Sequence, residues 1–232
     1  MSEVIKKAVA ARQASYGLAK LWKGEVVRGP ALVVSGIAAV SAVRPYTAGV
    51  FMLGVGTSYV LTSIRQNLKS PLLHATGGFF ILAVGALVLQ NSREFLLQSG
   101  VEEFSWEGLK EFYMRRRASS RVGGAAFVPP LVLTLLGPLF AVVTMLFRPF
   151  PWEAHNAQSL LASLECFLWT FLIWRNRRVI LGKLKLITKD PWVAFIVSFT
   201  VIMMLIQTTT GNFAIIARQR VQFLPLFLML LA

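Results

Sequence analysis

Cysteine and histidine are almost missing from this chain of 232 residues. Cys166 stands alone, and His74 and His155 are the only imidazoles. A single cysteine cannot close an intrachain disulfide. No local motif offers the ligand spacing that zinc or haem requires, so no metal or cofactor is expected. A phosphate-cradling P-loop and a GxSxG nucleophile elbow are also absent, which removes the nucleotide-hydrolase and serine-hydrolase readings those motifs carry. Acidic residues are few, 10 against 24 Lys and Arg. Charge of either sign makes up only 15% of the chain, where a soluble domain carries about 25%.

Apolar sequence fills the space. The chain is 56% hydrophobic with a mean hydropathy of +0.63. Residues 70–92, 122–147 and 191–217 contain no Asp, Glu, Lys or Arg. As helices rising about 1.5 Å per residue, each is long enough to cross a hydrocarbon core of roughly 30 Å. Residues 46–64 form a further uncharged run of crossing length. Residues 29–43 would reach only about 22 Å. Either these two runs are spans meeting at Arg44-Pro45, or the first is a half-span or interfacial piece. The predicted fold class is all-α: a multi-pass transmembrane helical bundle of about five or six apolar helices, with one short amphipathic cytoplasmic helix. The transmembrane domain occupies residues 29–232. Residues 1–28 form a basic cytoplasmic segment without the apolar core of a cleavable signal peptide.

The net charge of +14 would point to nucleic acid in a soluble chain. Here the cations sit in loops between apolar runs, as membrane orientation and anionic head groups select, and no nucleic-acid motif accompanies them. Membrane lipid is the expected partner. In the 93–121 loop, Glu102, Glu103, Glu107 and Glu111 precede Arg115, Arg116, Arg117 and Arg121. Ser105 can cap a helix there, with acids at its start and arginines at its end. The 175–190 loop is basic throughout. Segments separated by two crossings share a side, so 93–121 and 175–190 lie together and carry twelve Lys or Arg residues. Arg65 and Lys69, Arg148 to Glu153, and Arg218 to Arg220 lie opposite, with five. The positive-inside rule makes the first group cytoplasmic, in a plasma (inner) membrane, and turns the second outward.

Between two apolar runs stands a dense polar cluster, Arg148-Pro149-Phe150-Pro151-Trp152-Glu153, followed by a helix-like run at 154–174. At about 100° per residue, His155, Gln158, Ser159, Ser163, Glu165, Cys166 and Thr170 fall on one side. Leu160, Leu161, Leu164, Phe167, Leu168 and Phe171 fall on the other. The apolar side is expected to face lipid or neighbouring helices, the polar side a protein interior. Glu165 is then an intramembrane carboxyl, either functional or holding a structural hydrogen bond. Residues 207–212, Gln-Thr-Thr-Thr-Gly-Asn, interrupt the last long run. Non-helical backbone at that depth requires cover by protein or water. Residues 221–232, about 18 Å as a helix, are expected to rely on more chain or a partner subunit.

The outward side thus gathers Arg148, Trp152, Glu153, His155, Arg218 and Arg220. Arginines grip phosphate oxygens bidentately, a carboxylate such as Glu153 or Glu165 can act as general base, and an aromatic ring offers a platform for a sugar face. The string Phe147-Arg148-Pro149-Phe150-Pro151-Trp152-Glu153, the Glu165 helix, and Gly211-Asn212-Phe213 with Arg218-Gln219-Arg220 and Pro225 resemble the C-terminal half of bacterial membrane proteins of polysaccharide assembly. Those are O-antigen or exopolysaccharide polymerases and integral-membrane glycosyltransferases. The resemblance covers roughly residues 103–232. On their chemistry Glu153 and Glu165 are the candidate catalytic residues and Arg148, Trp152 and His155 candidate binding residues, while the resemblance implies a polyprenyl-diphosphate-linked saccharide whose pyrophosphate is held by Arg218 and Arg220. The competing expectation is a non-enzymatic membrane transporter or scaffold subunit, which broken helices and mid-membrane polar residues also fit.

Overall fold

A computed structural model of the chain describes residues 14, 16–18, 28–43, 45–66, 106–120, 125–132 and 134–231. Among these the regular elements are all helical, with one isolated β-bridge, so the fold is all-α. The 70–92 run, Lys69 and the beginning of the 93–121 loop lie outside the described residues. The chain divides into two compact units, Met1–Gln98 with Leu186–Ser198, and Ser99–Lys185 with Phe199–Ala232.

In the first unit, α1 (Arg28–Val43) and α2 (Pro45–Gln66) pack on each other. Pro45 opens α2, the helical position where a missing N–H costs nothing. Ala14 and Leu18 are buried. A Cβ on Gly17 would stand 2.6 Å from the Leu32 Cβ, and one on Gly36 2.5 Å from the Ala14 nitrogen. The backbones therefore approach as closely as only glycine allows. The same unit holds the start of α7 (Pro191–Gln207), where the Asp190 carboxylate accepts from Trp192 N (2.8 Å). Ser58 Oγ donates to Pro191 O (2.6 Å), and the Phe51 ring meets Phe195 edge-on at 4.9 Å.

The second unit begins with α3 (Trp106–Ser119), which has Glu107 in its first turn and Arg116 and Arg117 in its last. That order complements the helix dipole. Tyr113 Oη donates to Pro130 O (2.9 Å) and accepts from Val132 N (3.0 Å). Arg117 donates through Nε and Nη2 to Pro129 O (3.1 and 2.7 Å). These bonds hold an extended stretch where the sequence predicts a crossing helix. The uncharged 122–147 run is not one helix. Pro129 and Pro130 remove two consecutive donors, and the helix, α4 (Gly137–Phe147), starts only at Gly137-Pro138. Eleven residues reach about 16 Å.

The extended stretch pairs with the polar break. Phe127 N donates to Gly211 O and Phe213 N to Ala125 O, both 3.0 Å, around the antiparallel bridge between Ala126 and Asn212. Ser120 Oγ accepts from Gly211 N (2.8 Å), and Thr208 Oγ1 donates to the Met204 carbonyl. The break thus meets the requirement that irregular backbone be covered and hydrogen-bonded. Thr208, Thr209 and Thr210 are buried with it.

After α4 come a 3₁₀ turn (Pro151–Glu153), α5 (Ala157–Arg175), α6 (Arg177–Leu184), the end of α7, α8 (Phe213–Arg220) and α9 (Leu224–Leu228). Asn156 caps α5. Its side chain accepts from Ser159 N (2.7 Å), while Ser159 Oγ accepts from Asn156 N (3.1 Å), a reciprocal capping box. Residues 221–232 do not form the expected continuous helix. Five residues of α9 are flanked by turns, with Pro225 in the first helical turn. Helices α4 and α8 both pack against α5.

One helix among the described residues, Ala157–Arg175, is long and apolar enough to cross a membrane. Thr47–Thr62, Gly137–Phe147 and Pro191–Gln207 are apolar but shorter. The faces of α5 follow the expected division only in part. Ser159, Ser163 and Cys166 are buried, with Ala162 beside them, but Gln158 and Thr170 of the same side are exposed and Glu165 is half-buried, whereas Leu160, Leu161, Leu164, Phe167, Leu168 and Phe171 are all exposed.

Candidate functional site

The site is built where α4 ends. Arg148 is the helix C-cap, its N–H donating to Thr144 O (3.3 Å). The Arg148-Pro149 peptide is cis. Pro151 starts the 3₁₀ turn that carries Trp152 and Glu153, so the turn folds the carboxylate back onto the arginine five residues earlier. Arg148 Nε lies 3.0 Å from both Glu153 oxygens, and Nη2 bonds Oε1 as well. Phe150 N adds a fourth donor contact, to Oε2 at 3.0 Å. Burial alone would raise the Glu153 carboxyl. The hydrogen bonds from Arg148 and Phe150, with the attraction of Arg148 and His155, outweigh burial and hold it below the usual carboxylate value.

The Arg148 guanidinium also lies over two stacked rings. Phe127 and Phe213 are parallel within 3° at 4.2 Å, and the Arg148 Cζ is 4.7 Å from the first ring centroid and 5.5 Å from the second. Each ring comes from one side of the bridge between residues 126 and 212, so the covered polar break presents the aromatic bed.

Arg220 supports the same residue from below. It is 1% exposed. Its Nε donates to Met145 O (2.6 Å), Nη2 to Arg148 O, and Nη1 to Cys166 Sγ (2.9 Å). The Cys166 thiol in turn donates to Arg148 O (3.2 Å). The last turn of α4 is therefore tied to α5 and α8 through one guanidinium.

An open cleft of about 410 Å³ runs beside this pair, lined by Phe140, Val143, Thr144, Arg148, Trp152 and Glu153 among others. Its lining is both apolar and charged. Trp152 is 76% exposed and stacks on Phe150 at 4.9 Å.

Of the residues singled out in the sequence, Arg148, Trp152 and Glu153 meet at the cleft. His155 is exposed and reaches Glu153 through its field alone. Glu165 is half-buried on α5 and accepts from Trp169 Nε1 (3.1 Å). Arg218 is exposed on α8, and Arg220 is buried on it. The two do not form a joint pyrophosphate grip, because every nitrogen of Arg220 is occupied inside the protein. Phe213, part of the Gly211-Asn212-Phe213 string, completes the site together with Phe127 and Met145, which no sequence signal marks. Among the described residues no group of His, Cys, Asp and Glu is arranged to hold a metal.

Comparison with protein-family models, curated proteins and solved structures finds no match to the chain.

Proposed function

We propose that this is a multi-pass integral protein of the plasma (inner) membrane, in cell-surface polysaccharide biosynthesis, whose Arg148 cleft receives the head group of a polyprenyl-linked glycan. The observation that carries the membrane reading is the reversal of α5. Its small residues Ser159, Ala162, Ser163 and Cys166 are buried, and Leu160, Leu161, Leu164, Phe167, Leu168 and Phe171 are exposed. In water that arrangement exposes a large apolar stripe and wastes its burial. In lipid it is the stable one. The cleft suits an amphiphile, with Phe140 and Val143 beside a chain and the Arg148 and Glu153 pair beside a head group. Exposed Trp152 offers the sugar platform.

Because Glu153 already neutralises Arg148, the pair suits sugar hydroxyls better than a bare diphosphate. A specific observation also favours the non-enzymatic reading, as transporter or scaffold. The Glu153 carboxylate accepts four contacts and is held in its charged form, which leaves it a weak base for proton abstraction.

The test is the Trp152→Ala variant in cells that make the polymer, scored for surface glycan and lipid-linked intermediates at matched protein level. Loss of glycan on the order of tenfold, about 1.4 kcal/mol of recognition, is expected. Unchanged glycan leaves the scaffold reading ahead, and a protein extracted from membranes by alkaline carbonate would overturn the membrane assignment itself.

A further inference from the structure

The C-terminal end of α5 carries a different surface from the Arg148 cleft. Helix α5 gives way to α6 at Asn176, which donates through N and Nδ2 to Leu172 O (3.0 and 2.9 Å) and accepts from Ile180 N (3.0 Å). Around this joint, residues 175–189 hold six Lys or Arg and no acid. The next acid, Asp190, is occupied as the cap of α7. Arg177, Lys183 and Lys189 have partners within the protein. Arg177 lies 4.7 Å over the Trp174 ring and donates to the Trp174 carbonyl (3.0 Å), while Lys183 Nζ donates to Met229 O (3.0 Å). Arg175, Arg178 and Lys185 are exposed, and no described carboxylate pairs with them.

Apolar side chains interleave with these cations rather than lying beneath them. Trp174 is 67% exposed and Leu181 57%, and Val179, Leu184 and Leu186 are exposed too. A surface meant for water or for nucleic acid gains nothing from bare leucines between its charges. At a bilayer edge both kinds of group are satisfied, with the leucines at the acyl boundary, the indole at head-group level and the cations reaching outward. A guanidinium matches two phosphate oxygens at once.

We infer that the Trp174 to Lys185 surface is a docking site for anionic phospholipid head groups, held by Arg175, Arg178 and Lys185. This rests on the membrane reading of α5 but not on the glycan cleft. It also assigns the basic end a binding task beyond orientation.

The experiment uses the full chain in lipid nanodiscs of phosphatidylcholine, with and without phosphatidylglycerol. The wild-type unfolding midpoint should rise by on the order of 5 °C with phosphatidylglycerol, and the rise should shrink at high salt. The variant Arg175→Gln/Arg178→Gln/Lys185→Gln should keep the phosphatidylcholine midpoint and lose the rise. A nitroxide at Leu181→Cys, with Cys166 shielded by burial, should be protected from an aqueous relaxation agent. Equal midpoints in the two lipids, or a rise that survives the triple substitution, overturns the inference while leaving the membrane assignment standing. Failure to enter nanodiscs at all defeats the membrane assignment first. A salt-resistant shift of a short RNA, abolished by the triple substitution, would give the surface to nucleic acid and equally overturn the inference.

Discussion

Arg220 and Arg148, 72 residues apart, meet at one carbonyl: the buried guanidinium of Arg220 donates to the backbone oxygen of Arg148. The two arginines divide the work. One holds the main chain of the α4 terminus from within the protein, and the other turns its side chain to the cleft, between Glu153 and the paired rings of Phe127 and Phe213. The charge that faces the cleft and the charge that fixes its position are therefore separate residues.

Arg220→Met should for that reason unsettle the whole corner. It strips donors from the carbonyls of Met145 and Arg148 and from Cys166 Sγ. Hydrogen bonds to a charged donor are worth about 1.5–3 kcal/mol each. Their joint loss, partly offset by removing a buried charge, should cost about 2–4 kcal/mol. Unfolding in detergent, followed by helical circular dichroism, measures this. Arg220→Lys should recover only part, since one ammonium cannot span three acceptors on two sides. A Met variant as stable as the wild type would show that the guanidinium does not hold the corner.

The sequence made the α5 corner legible and its surroundings not. The two faces of residues 157–175 follow from a 100° period, because polar and apolar positions alternate at helical spacing within one segment. Charge-free length misled at 122–147, where Pro129, Pro130 and Gly137 override hydropathy and 125–127 pairs with 211–213 instead. That pairing joins residues more than eighty positions apart, and no local periodicity encodes it. The burial of Arg220 was hidden for the same reason, since its acceptors lie at 145, 148 and 166. The nearness of Arg148, Trp152 and Glu153, by contrast, is a short-range consequence of two prolines in one turn.

Glu153 sets a pH dependence whose sign is fixed by geometry. Its folded carboxyl titrates below the ordinary value of 4.5, so the charged pair stabilises the fold fully above that value. The contribution fades as pH falls through the lower folded value. Glu153→Gln should thus cost about 1–2 kcal/mol at neutral pH, a gap that closes in acid. Denaturation midpoints of both proteins from pH 7 down to about 3 should converge at the acid end. Parallel curves over the whole range would exclude the ion pair as their cause.

The reversed faces of α5 predict opposite tolerances on its two sides. Ala162→Leu adds volume on a packed face and should destabilise by about 1–3 kcal/mol. Leu164→Arg touches no core, and in a soluble protein it would be nearly silent. In a bilayer a central arginine costs about 2.5–3.5 kcal/mol of insertion, so the variant should leave the carbonate-resistant membrane fraction and fall in abundance. A Leu164→Arg protein that stays membrane-bound at wild-type level would argue that this face is not lipid-facing.

Orientation is the last expectation, and it rests on charge rather than on contacts. Helix α5 is about 28 Å long, enough to set its ends on opposite sides of the hydrocarbon. Its N-terminal end follows the Pro151–Glu153 turn, while the Arg148 carbonyl lies against Cys166, midway along the helix. Its C-terminal end opens onto Arg175, Arg177, Arg178, Lys183, Lys185 and Lys189. By the positive-inside rule such an imbalance should keep the basic end in the cytoplasm. Trp152 and Lys185 are both exposed, and Cys166 is buried, so single cysteines at the two positions report on the two sides without a further substitution. In intact cells an impermeant maleimide should label Trp152→Cys at once and reach Lys185→Cys only after the membrane is opened. Labelling of Lys185→Cys alone would invert the protein, putting the cleft in the cytoplasm and beyond reach of a glycan carried on the outer leaflet. Labelling of both in intact cells would mean that α5 does not cross at all. Only the first pattern agrees with the proposed outward-facing cleft and the proposed lipid-docking surface on the cytoplasmic side.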